Sequence, residues 1–156
     1  MAVSAIPAGY HSLTPYIFVR GATEAIKFYT AAFGATDVLS LPMPDGTIAH
    51  AEMKIGDSIF MFSDENPAWG NKGPQTLGGY SGGMCIYLPD VDKAFAKAIA
   101  AGAKELRPVM DQFYGDRSGS LIDPFGHMWT LATHIEDVPH EEYAPRMAKW
   151  LSEMKM

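Results

Sequence analysis

Cysteine is almost absent from this chain of 156 residues; Cys85 is the only one. No intrachain disulfide can form, and a reducing compartment, the cytoplasm, is the expected setting. Long apolar runs are missing too. No stretch of about 18 apolar residues occurs, so no membrane-spanning helix is expected. The segment Met1-Ala2-Val3-Ser4-Ala5-Ile6-Pro7 lacks the basic start and apolar core of a secretory leader. Positive charge is scarce: 12 Lys and Arg stand against 18 Asp and Glu, a formal net charge of −6. The basic residues are scattered, whereas a phosphate backbone is gripped by clustered ones. Neither a nucleic acid nor a membrane is an expected partner.

What is present is said twice. Tyr16-Ile17-Phe18-Val19 leads into Ala22-Thr23-Glu24-Ala25-Ile26-Lys27-Phe28 and on to Gly34-Ala35. Cys85-Ile86-Tyr87-Leu88 leads in the same way into Val91-Asp92-Lys93-Ala94-Phe95-Ala96-Lys97 and Gly102-Ala103. Leu88 repeats Val19 at an offset of 69, Gly102 repeats Gly34 at 68, and Gly126 repeats Gly56 at 70. Two copies are too few for a solenoid, which needs about three. They imply two similar modules around a shared cup.

Each copy reads β-α-β-β-β. Residues 13–19 form a short apolar strand. Residues 22–33 place Ala22, Ala25, Ile26, Tyr29 and Phe33 at helical spacing, with Gly34 as the stop. Strands are expected at 36–41, 47–55 and 58–63, with Asp45-Gly46 and Gly56-Asp57 at the turns. The second copy carries a helix at 91–101 and strands at 105–110, 114–122 and 128–133. The predicted organisation is an N-terminal arm (1–10), module 1 (11–64), a Gly/Pro-rich linker (65–82), module 2 (83–138) and an amphipathic C-terminal helix (139–156). That helix shows Tyr143, Met147, Trp150 and Leu151 on one face. The fold class is α+β: two tandem βαβββ modules forming a curved mixed sheet around the cup.

These paired modules, with Asp123-Pro124-Phe125-Gly126-His127 before the last strand, resemble the vicinal oxygen chelate superfamily of glyoxalases, extradiol dioxygenases, fosfomycin-resistance enzymes and bleomycin-binding proteins. His11-Ser12-Leu13-Thr14-Pro15-Tyr16, the run Asp111-Gln112-Phe113-Tyr114-Gly115-Asp116-Arg117-Ser118-Gly119 and His134-Ile135-Glu136-Asp137-Val138 are similar to its PhnB-like branch. The resemblance covers residues 11–138 and implies one divalent metal in the cup, held by His, Gln or Glu from four strands. Counted from Val19, Leu88 and the turn glycines, the ligand positions fall on Thr14, Gly83, Thr130 and Phe60. None is a usual ligand. The expectation is therefore that no metal or other cofactor sits there.

Strand alternation indicates what lines the cup, because residues two apart share a face. With Thr14 inward, Tyr16 and Phe18 follow, and Ile17 and Val19 pack under the helix. His50 and Glu52 point inward opposite Ala51 and Met53. The same counting sends Phe60, Phe62, Cys85, Tyr87, Tyr114, Asp116, Thr130 and His134 inward. The candidate catalytic residues are His50 and Glu52, a base and its polariser. The candidate ligand-binding residues are Tyr16, Phe18, Phe60, Phe62, Tyr87, Tyr114, Asp116, Thr130 and His134. Plainer readings stand beside these. His50–Glu52 could be a structural ion pair, His127 a turn cap, Arg117 a tie for the loop before it and Trp129 a core residue. Cys85 has no cationic neighbour in sequence to activate it.

Two functions of different class are compatible with this pattern. One is a metal-free protein that binds a small aromatic or hydrophobic molecule in the cup. The other is a glyoxalase- or dioxygenase-like enzyme, using either a shifted metal site at His50, Glu52 and His134 or metal-free acid–base chemistry centred on His50. A third is an interaction module whose cup is filled by its own side chains. The resemblance and the exposed strand edges of such modules imply a homodimer.

Overall fold

In the computed structural model, residues 3–154 are described, the Met154 side chain excepted. Module 1 runs β1 (Tyr16–Val19), α1 (Ala22–Phe33), β2 (Thr36–Pro42), β3 (Ile48–Ile55) and β4 (Ser58–Asp64). Its sheet has the order β1-β4-β3-β2, with β1 parallel to β4 and the remaining pairs antiparallel. Module 2 repeats this with β5 (Gly83–Tyr87), α3 (Val91–Ala100), β6 (Lys104–Asp111), β7 (Asp116–Ile122) and β8 (Met128–His134), in the order β5-β8-β7-β6. A 3-10 turn at Pro67–Trp69 and the short α2 (Pro74–Leu77) lie between the modules, and α4 (His140–Met154) follows the second.

The helix starts are anchored at equivalent points. The Asp64 carboxylate at the end of β4 accepts the Gly21 and Ala22 amides, taking up free donors at the start of α1. In module 2 the Thr133 hydroxyl accepts the Val91 amide, and Asp90 caps α3 through the Lys93 amide. Gly34 ends α1 at φ 68°, a conformation that suits a residue without Cβ.

One core serves both modules. Ala22, Ala25, Phe28, Tyr29 and Ala32 are the buried stripe of α1. The Tyr29 ring meets Phe60 and Phe62 of β4, Phe125 of the turn before β8, and Trp129 of β8. Its hydroxyl donates to Asp123 at 2.9 Å, as does the Trp129 indole at 2.9 Å. Asp123 also accepts the Phe125 and His127 amides. His127 meets the Phe18 carbonyl through Nε2 at 2.9 Å. It therefore ties the two modules together, a tertiary role that a turn cap does not describe.

Some expected boundaries move. The first strand starts at Tyr16 rather than residue 13, although the Pro15 carbonyl still accepts the Met61 amide. The strand expected from 114 starts at Asp116, because Gly115 turns the chain at φ 96°. Residues 65–82 are pinned as well as Gly/Pro-rich. Glu65 accepts Arg20, Thr76 and the Gly73 amide, and a Cβ at Gly73 would lie 2.7 Å from the Phe18 carbonyl oxygen. In α4 only part of the expected apolar face is covered. Trp150 packs on Phe113 at 5.8 Å between ring centroids, while Met147 and Leu151 stay exposed.

Candidate functional site

The sheet register decides which side chains face away from the helices. Glu52 pairs with Met61 and Tyr16 with Met61, whereas Phe62 pairs with Ala51 and Ile17, and Phe60 with Met53. Paired residues share a face. Tyr16, Phe18, His50, Glu52 and Met61 therefore occupy the open face of module 1. Phe60 and Phe62 do not. They are buried against Tyr29, which corrects their expected place in the cup. Counting from the Gly56 turn misplaced this strand by one residue, and a slip of one moves every side chain to the other face.

On the open face of module 1 four residues form a hydrogen-bonded chain. Tyr10, from the N-terminal arm, donates its hydroxyl to Glu52. The other Glu52 oxygen lies 3.0 Å from His50 Nε2, and His50 Nδ1 lies 3.0 Å from the Tyr16 hydroxyl. Hydrogen bonds from Tyr10 and His50 hold the Glu52 carboxyl below its ordinary pKa, while Tyr10 is pushed up by the same carboxylate. An ionised Glu52 only accepts, so Nε2 carries a proton. In the neutral imidazole Nδ1 is then an acceptor, and Tyr16 donates to it. The arrangement is a carboxylate–imidazole–phenol relay with the half-exposed Tyr16 at its outer end.

Module 2 carries a different chain on its open face, where Cys85, Tyr87, Asp116, Ser118, Ser120, Thr130 and His134 stand in register. The buried Asp116 accepts the Tyr87 hydroxyl at 2.7 Å and faces His134 Nδ1 at 2.8 Å. His134 Nε2 faces Asp137 at 3.0 Å. Asp137 and Asp116, on either side of the ring, raise the His134 pKa. The bond to Asp116 pushes Tyr87 up to about 12, and burial followed by Asp116 raises Cys85. A carboxylate therefore faces each ring nitrogen of His134, and the protonated imidazole donates to both. Tyr114 sits outside the strand, in the turn before Asp116, with its ring on Phe113.

No hydrogen bond, ion pair or ring contact among the described residues joins the His50–Glu52 group to the Asp116–His134 group. Each open face has its own groove. One of about 380 Å³ lies between the N-terminal arm and Thr14, Glu52 and Met61. Another of about 530 Å³ lies between β6, β7, Thr130 and Trp150 of α4. Sequence reading missed Tyr10, Met61, Ser120 and Trp150. Met61 and Ser120 follow from the register once it is known; no sequence signal brings Tyr10 to Glu52. Arg117 binds Asp92 and Asp111 and so ties β7 to α3 and β6, in keeping with its plainer reading.

The positions of the superfamily's metal ligands do not suit a metal. They are occupied by Thr14, Gly83, Thr130, whose hydroxyl is 3.0 Å from that of Ser120, and, with the register corrected from Phe60, Met61. A Cβ at Gly83 would lie 2.3 Å from the Met128 methyl carbon and 3.0 Å from the Met128 carbonyl oxygen. A side chain at Gly83 would have to displace the Met128 methyl. Among the described residues no three His, Cys, Asp or Glu side chains form a group able to hold an ion.

Residues 9–131 match the model of the Glyoxalase/Bleomycin resistance protein/Dioxygenase superfamily. The chain belongs to that superfamily. An uncharacterized protein of Mycobacterium bovis is 36% identical over 151 residues, covering 95% of this chain and 97% of its own. Among solved structures, TioX from Micromonospora sp. ML1 superposes with a TM-score of 0.62 at 24% identity, over 83% of this chain and all of its own length (100%). A PhnB protein from Bacillus cereus gives a TM-score of 0.61 at 21% identity, over 79% of this chain and 99% of its own. These likenesses establish two four-stranded sheets with their helices as the superfamily fold. No helix among the described residues is long and apolar enough to cross a membrane.

Proposed function

We propose that this superfamily member, of the PhnB-like branch, binds a small aromatic or hydrophobic molecule on the open faces of its modules without the superfamily metal. The observation that carries this is the ligand set. Thr14, Met61 and Thr130 offer neither imidazole nor carboxylate, and Met128 occupies the space beside Gly83. Tyr16, Phe18, Tyr87, Tyr114 and Thr130 are the contact residues of this reading, with Asp116 and His134 holding Tyr87 in place. Aromatic walls with a few convergent polar groups are the usual make-up of a small-molecule pocket. The test is a thermal-shift series with Zn, Ni, Mn and Fe(II), each with and without chelator, on protein purified without a His-tag. A ligand that binds only the folded state raises the melting temperature. No metal is expected to do so; a stoichiometric metal that stabilises the protein and is stripped by chelator overturns the reading.

One observation favours a second reading, metal-free acid–base catalysis. The Glu52–His50–Tyr16 chain can accept the Tyr16 proton at His50 and leave a phenolate at its half-exposed outer end. Incubating the protein with a panel of α-hydroxy ketones in deuterated water tests it. Exchange at carbon that disappears in both Tyr16→Phe and His50→Ala would put catalysis ahead of simple binding.

The working unit of this proposal is a cytoplasmic homodimer, with no nucleic-acid or membrane partner. Leu39, Leu41 and Tyr87 are exposed apolar side chains on open sheet faces, and β1, β2, β5 and β6 are unpaired edges. A second chain can cover them and bring one module's relay opposite the other module's groove. Light scattering at tens of micromolar tests this, and a stable monomer overturns it.

A further inference from the structure

The groove of module 2 has a feature that a purely apolar ligand would leave unused. The chain contains four arginines. Arg20 pairs with Glu65, Arg117 with Asp92 and Asp111, and Arg146 with Glu136 and Glu142. Arg107 has no carboxylate partner among the described residues, and it lines the groove of about 530 Å³. Its register with Ser120, and that of Ser120 with Thr130, puts all three on the open face. The Ser120 and Thr130 hydroxyls are 3.0 Å apart. One hydroxyl donates to the other, so one proton of the two remains for an acceptor in the groove. No Asp or Glu lines this groove, although the chain as a whole is acidic. Trp150 of α4 and Tyr114 supply aromatic surface at its margin, and Trp150 is fixed by packing on Phe113.

We infer that the groove between β6, β7 and α4 takes a planar aromatic anion, its carboxylate or equivalent oxyanion held by Arg107 and a Ser120 or Thr130 hydroxyl, and its ring against Trp150 and Tyr114. The inference rests on the small-molecule reading above and names the ligand class for that site. A guanidinium presents a planar fork of donors matched to a carboxylate, and with no internal partner it has no ion pair to break on binding. The ring is held by stacking, which is indifferent to the charge of the attached group. Charge selectivity and ring affinity therefore reside in different residues and can be separated.

The probes are 2-naphthoate, its uncharged counterpart 2-naphthamide, and the alcohol 2-naphthylmethanol, titrated into the full-length protein by calorimetry. The naphthoate is expected to bind at least about tenfold more tightly than the amide, as a charge-assisted hydrogen bond implies. Arg107→Gln should abolish that preference, lowering naphthoate affinity by about tenfold and amide affinity by much less. Trp150→Ala should weaken acid and amide alike, and circular dichroism of both variants reports that they are folded. If acid and amide bind equally and Arg107→Gln changes neither, anion selection is refuted and the small-molecule reading stands. If Tyr16→Phe or Glu52→Gln changes naphthoate affinity and Arg107→Gln does not, the ligand sits on module 1 and the inference fails alone. If none of the three probes binds, the inference falls together with the reading on which it rests.

Discussion

Replacing His50 by alanine separates a functional relay from a structural ion pair. The imidazole has two partners, the Tyr16 hydroxyl at 3.0 Å and a Glu52 oxygen at 3.0 Å. Tyr16 is 44% exposed, so its released hydroxyl can turn to water at little cost. Glu52 is only 8% exposed, and its oxygen facing His50 loses a partner while the other keeps Tyr10. An unsatisfied buried acceptor costs about 1–3 kcal/mol, and a groove beside Glu52 that admits water places His50→Ala near the lower end, about 1 kcal/mol. For a chain of this length that is a fall of about 2–4 °C in melting temperature. The pH dependence has a definite sign. Glu52 has a depressed folded pKa, so its stabilisation is present above the ordinary glutamate range and fades as pH falls through the folded value. His50 supplies part of that depression, so wild type and variant should differ at neutral pH and converge in acid. Melting and deuterium exchange of the α-hydroxy ketones are to be measured on the same variant, with exchange lost and stability nearly kept. A loss above about 3 kcal/mol with exchange unchanged would refute the reasoning and make His50 structural. Tyr114 and Asp116 would then be the better candidates.

Asp123 is the buried acceptor of four donors, from Tyr29, Trp129, Phe125 and His127. Asp123→Ala should cost about 3–5 kcal/mol, and Asp123→Asn about half as much, because its carbonyl can keep two of those bonds; equal melting of the two variants by calorimetry would refute this. His134 has a raised folded pKa, so its contribution is fully present below the ordinary histidine value and lost as pH rises through the raised one. Melting curves from about pH 5 to 9 should show that loss in wild type and not in His134→Gln; parallel profiles would refute the pairing with Asp116 and Asp137. Gly115→Ala should destabilise by more than about 2 kcal/mol, because its φ is 96° and a Cβ would lie 2.2 Å from the Glu136 carbonyl oxygen; a neutral effect in chemical unfolding would refute it.

The duplicated strand–helix–strand pattern was legible in the amino-acid order because each module encodes it locally. Helical spacing from Ala22 to Phe33 with Gly34 at its end sets α1, and alternation in β3 puts His50 and Glu52 opposite Ala51 and Met53. The absence of the usual metal ligands at Thr14, Gly83 and Thr130 is likewise a fact of residue identity. Other features were decided only in three dimensions. Whether Phe60 or Met61 faces outward depends on where β4 pairs with β1 and β3, and a count from a turn glycine does not fix a register. Tyr10 reaches Glu52 across 42 positions, His127 reaches Phe18 across 109, and Trp150 comes to lie over the module 2 groove from outside either module. Local periodicity reports which face of an element is apolar. Which polar groups meet across elements is set by how the two modules share one core, and that is a property of the packed chain rather than of any segment of it.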